Sequence, residues 1–140
     1  MKHIFEYLFS KKSDLDKIKP VMINKDSLKL GTIVVFESGQ YGVAIPYEYF
    51  KDFSHVLRKH DIPMRKPGII LCFRNTKTIT YMDFVDFDEN LNYRFLNHPN
   101  KYDITGIYSE NIPKNELEYI LKNLAFERIP AIGGNFYKKS

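Results

Sequence analysis

Residues 31–45, Gly31-Thr32-Ile33-Val34-Val35-Phe36-Glu37-Ser38-Gly39-Gln40-Tyr41-Gly42-Val43-Ala44-Ile45, decide the fold. Two runs rich in β-branched and aromatic residues are separated by a short polar segment, the pattern of an antiparallel hairpin. Gly39 supplies the positive φ that such a turn needs, which a residue with a Cβ adopts only under strain.

Moving outward, Ile69-Ile70-Leu71-Cys72-Phe73 and Thr78-Ile79-Thr80-Tyr81-Met82 form a second hairpin around the polar turn 74–77. Residues 83–88 keep a mixed alternation that extends the meander, and Tyr102 to Tyr108 alternates as a closing strand. Val21-Met22-Ile23 reads as a short edge strand. Between the hairpins the period changes. Pro46 is a first helical residue, after which Tyr47, Phe50, Phe53 and Leu57 make one apolar stripe. Glu48, Lys51, Asp52, His55, Arg58 and Lys59 fill the opposite side. Such a stripe covers a sheet face more readily than it lines a cofactor pocket. Residues 2–9 show a short helical pattern. Glu116 to Leu124 is a second amphipathic helix, with Asn115 and Glu118 as a capping pair and Leu117, Ile120, Leu121 and Leu124 on its buried side.

The expected class is α+β: a small, strongly curved antiparallel sheet or an SH3-like barrel, with a helical insertion at 47–60 and short terminal helices. The expected organisation is an N-terminal helical extension over 1–30, a β core over 31–110, and a C-terminal helix and tail over 111–140. A chain of 140 residues is one domain by size.

The pieces Gly31 to Phe36, Gln40-Tyr41-Gly42-Val43, Phe87 to Leu91 and Tyr102-Asp103-Ile104-Thr105-Gly106-Ile107-Tyr108 resemble small SH3-like barrel proteins encoded by phages and mobile elements of low-GC bacteria. In that family a first strand joins a "G-V" strand by a hairpin, and a late "Y-D-I" strand closes the barrel. The resemblance covers about residues 31–108 and implies a barrel fold. Proteins of that kind are mostly of unknown function, and some small phage proteins of similar size disable host defence enzymes. A phage or mobile-element accessory protein that binds and modulates a host protein is the expected role. The family's link after the second strand is shorter than this chain's 47–60 segment.

Composition limits the functions further. With one cysteine the chain can form neither an internal disulfide nor a cysteine-based zinc site, and Cys72 lies inside an apolar run where a buried, inert thiol is expected. His55 and His60 are five apart and share no helix face, and acids 83, 86, 88 and 89 lack the spacing of a calcium loop. No metal or cofactor is expected. The serines fall in polar turns, and Ser54-His55 are adjacent, so their side chains diverge. A non-enzymatic role is expected, with a small enzyme of unidentified class as an alternative. The N-terminus lacks a signal-peptide pattern and no apolar run is long enough to span a bilayer, so a cytoplasmic protein without membrane attachment is expected.

Two binding readings remain. Ten Tyr and eleven Phe stand beside no Trp, and Tyr and Arg concentrate energy at protein interfaces. Tyr47, Tyr49, Arg58 and Arg65 are the candidate protein-binding residues, rimmed by the acids at 83–89. The partner is a foreign protein or a second copy of the chain. The alternative is a small barrel that binds single-stranded or structured nucleic acid through Lys51, Arg58, Lys59, Arg65, Lys66, Arg74 and Lys77. The net charge is only +4, and bases are interspersed with acids. Protein binding is therefore the leading expectation, with weak or no nucleic-acid binding.

Overall fold

The computed structural model describes residues 20–21, 24–73, 78–95, 100–123 and 125–126. The expected helix at 2–9, the tail beyond 126, and Arg74 and Lys77 lie outside the described residues. The protein is α+β. Five main antiparallel strands are β2 (Thr32–Phe36), β3 (Tyr41–Pro46), β4 (Gly68–Phe73), β5 (Thr78–Asp83) and β6 (Ile104–Asn111). Two-residue strands β1 (Pro20–Val21) and β7 (Ala125–Phe126) extend the sheet, in the order β1-β6-β2-β3-β4-β5-β7. Its outermost members do not pair, so the described strands form an open sheet and the barrel alternative gains no support.

Both expected hairpins form. Ile33 pairs with Val43 and Val35 with Tyr41, and the N–H of Gly39 donates to the Phe36 carbonyl at 2.8 Å. Gly39 has φ +91°, as the turn requires. The strand expected over 102–108 begins at Ile104, runs to Asn111, and lies between β1 and β2. Between Val35 and Phe36 its register shifts, leaving Thr105 opposite no residue. This bulge brings both Ile104 and Ile107 onto one face despite their odd spacing.

The apolar strands are buried on both faces, which explains why they read as nearly continuous apolar runs. On one face Ile33, Val43, Ile45, Ile69, Leu71 and Phe73 pack against two helices. These are α1 (Phe50–Lys59), through Phe53, Val56 and Leu57, and α2 (Lys114–Asn123), through Leu117, Ile120 and Leu121. On the other face Val34, Phe36, Ala44, Ile70, Cys72 and Met82 are covered by Phe84, Phe87, Leu91 and Tyr93. Each fully buried Leu, Ile or Phe contributes about 1.5–3 kcal/mol by leaving water. The segment after β5 is therefore a covering layer as much as a connection. Asp103 fastens it, its carboxylate accepting from the N–H groups of Tyr93 at 2.8 Å and Asn100 at 3.0 Å.

Four local expectations are corrected. Pro46 is still extended (φ −66°, ψ 151°) and ends β3; a 3-10 turn at Tyr47–Tyr49 then leads into α1. The meander does not continue past Asp83, because Phe84–Asp86 is a 3-10 turn capped reciprocally by Asp83 and Asp86. Helix α2 starts at Lys114, so Asn115 is inside it and caps nothing beyond the Glu116 N–H, 2.9 Å away. The edge strand near Val21 is Pro20–Val21; Met22 and Ile23 lie outside the described residues.

Candidate functional site

Three strand ends meet at one end of the sheet. Pro46 at the end of β3 pairs with Gly68 at the start of β4, and Ile69 pairs with Asp83 at the end of β5. Proline has no N–H to continue a ladder, and the chain leaves β3 there. The N–H of Tyr47 donates instead to the Pro67 carbonyl at 2.8 Å, which fixes the 3-10 turn against the loop before β4.

Residues three apart in a 3-10 turn eclipse one another. Tyr47 and Phe50 have that spacing, and their rings stack with centroids 6.0 Å apart and planes 7° apart. A cation attends each ring. Lys66 Nζ is 5.3 Å from the Tyr47 centroid, and the Arg58 guanidinium carbon is 6.0 Å from that of Phe50. Long helical side chains lean toward the N-terminus, which lets Arg58 reach back along α1. Each such contact is worth about 0.5–1 kcal/mol at an exposed site. The result is a row, Lys66–Tyr47–Phe50–Arg58, with exposed cations at its ends and half-buried rings between.

Beside the row, Arg65 Nη1 lies 3.7 Å from Asp83 Oδ2. The N–H of Asp83 donates to Asp86 Oδ2 at 3.2 Å, and the Asp83 carboxylate accepts from the Asp86 N–H. Burial pushes both carboxyls above their ordinary value. The Asp86 charge adds to the rise at Asp83, while Arg65 opposes it at both and Arg94 at Asp86. Asp88 Oδ1 is committed to its own loop, accepting from the N–H groups of Asn90 at 2.9 Å and Asn92 at 3.0 Å.

The sequence-derived candidates divide as follows. Tyr47, Arg58 and Lys66 are brought together through Phe50, a member of the apolar stripe expected to face the core. Arg65 adjoins them but is already matched by Asp83. Tyr49 stands apart, half-buried against the helix-side core. Lys51 and Lys59 are exposed on α1 and lie over neither ring. An aromatic pair three apart directly after a strand-ending proline is the signal that could have found Phe50. Elsewhere, the Ser54 hydroxyl donates to the Lys51 carbonyl at 3.4 Å, and Cys72 is buried with its thiol pushed up by burial. Among the described residues no group of three or more His, Cys, Asp and Glu could hold a metal ion, and no helix is long and apolar enough to cross a membrane.

The chain matches no family model, no curated protein and no solved structure.

Proposed function

We propose that this protein is a non-enzymatic protein-interaction domain whose contact surface centres on the row Lys66–Tyr47–Phe50–Arg58. The row itself carries the reading: two stacked, half-buried rings with a cation over each are already held in place, and Tyr47 and Arg58 among them are residue types that dominate interface energetics. Immobilising side chains beforehand lowers the entropy lost on association. The charges around the row are mixed, since Glu48 and Asp52 are exposed beside it and Asp83 meets Arg65. That mixture suits a protein surface better than a phosphate backbone.

The sequence resemblance supports the biological setting of the proposal, a phage or mobile-element accessory protein that binds and modulates a host protein. A cytoplasmic location belongs to the same reading.

The test is affinity capture with the tagged full chain, wild type against Tyr47→Ser and Arg58→Ser, each verified by circular dichroism. A captured protein lost in both folded variants is the expected result. Equal capture by all three proteins overturns the reading. So does sub-micromolar binding of DNA or RNA at about 0.15 M salt, where surface charges are screened beyond about 8 Å.

A further inference from the structure

The cations of this end of the sheet are not equivalent. Arg65 faces Asp83 at 3.7 Å, and on the neighbouring helix Lys114 faces Asp52 at 3.3 Å. Arg58 and Lys66 are different: among the described residues each contacts a ring and neither has a carboxylate within ion-pair distance. A cation over an aromatic face keeps its net charge and most of its N–H donors. It has merely lost some conformational freedom, the part of the entropy that a later ion pair would otherwise have to overcome.

Resting on the protein-interaction reading above, we infer that the row receives an acidic segment of the partner protein. Its carboxylates meet Arg58 and Lys66, and an apolar or aromatic side chain lies along the Tyr47–Phe50 pair. Arg58 offers a planar fork that takes a carboxylate in a bidentate manner, and Lys66 offers a compact point charge. The two cations attend different rings whose centroids are 6.0 Å apart, so the complementary ligand has more than one negative charge and apolar material beside them. A polypeptide can supply that pattern. A nucleic-acid strand carries a charge at every step, which brings phosphates against the exposed Glu48 next to Tyr47.

The probe is a fluorescent glutamate-rich peptide with one central tryptophan, titrated with the full chain by anisotropy. An oligothymidylate of similar length is run alongside. Arg58→Gln and Lys66→Gln are each expected to weaken peptide binding several-fold, and the double variant by about tenfold or more. Lys59→Gln, on the same helix but outside the row, changes it by less than about twofold. All three positions are exposed, and melting curves verify the fold. The inference is overturned if the wild type does not bind the peptide, if Lys59→Gln weakens binding as much as Arg58→Gln, or if oligothymidylate binds more tightly. Should the peptide fail while Tyr47→Ser still abolishes capture of a partner, the acidic class falls and the interaction surface stands.

Discussion

Arg65 and Asp83 are joined across the start of β4, guanidinium nitrogen to carboxylate oxygen at 3.7 Å, and that contact links the cation–aromatic row to a pair of half-buried carboxyls. The pair has a pH signature. Burial raises the carboxyls of Asp83 and Asp86 above 3.8, so between that value and their raised values the native state holds more protons than the unfolded chain. Stability therefore falls as pH rises through that window. Arg65→Gln removes an influence that lowers both carboxyls, so the window widens and neutral-pH stability drops by a few tenths to about 1 kcal/mol. Urea midpoints from acid to neutral pH check this. Wild type and variant should converge at acid pH and separate above it; a constant offset would show that Arg65 acts through packing alone.

Gly39→Val should destabilise the fold by about 1–3 kcal/mol, because φ is +91° there and a β-branched residue is strained in that region. Nothing lies within 4 Å of a Cβ at Gly39, so Gly39→Asn, which tolerates the conformation, should lose much less. Gly31→Ala should be worse than Gly39→Asn: φ is +81°, and the added Cβ runs into the backbone carbonyl of Ile112. Thermal melts of the three variants give the ranking directly.

Cys72 should be silent to a thiol reagent in the native protein and react fully in denaturant. It is 4% exposed, its thiol is pushed up by burial, and it sits in the interior strand β4, paired on both sides by β3 and β5. Labelling there requires opening of the sheet, so its rate should track global stability. Fast native labelling would contradict the two-face packing.

Tyr41 should ionise late. Its hydroxyl is pushed up from 10.0 to about 12 by burial first, then by the neighbouring Tyr108 charge and hydrogen bond. The native state holds that proton longer than the unfolded chain, so stability falls as pH climbs from 10.0 toward about 12. Tyr41→Phe should blunt that loss. Absorbance titration of tyrosinate alongside alkaline unfolding separates the two proteins, and identical alkaline curves would remove Tyr41 from the account.

What is short-range was legible in the order of residues alone. The turn at Gly39, the strand pairs 32–36 with 41–46 and 68–73 with 78–83, and the amphipathic α1 all follow from turn chemistry and periodicity within about ten to fifteen residues. Tyr47, Arg58 and Lys66 were legible as binding residue types, but not as neighbours. Tertiary structure alone decided that β6 inserts beside β2, that residues 84–103 cover the second face, and that Phe50 joins Tyr47 in the row. It likewise matched Arg65 with Asp83. Closing a longer loop costs only slightly more than closing a short one, so sequence separation hardly constrains which distant segments meet. Their meeting is fixed by which apolar faces remain to be buried once the hairpins have formed, and that is a property of the assembled sheet.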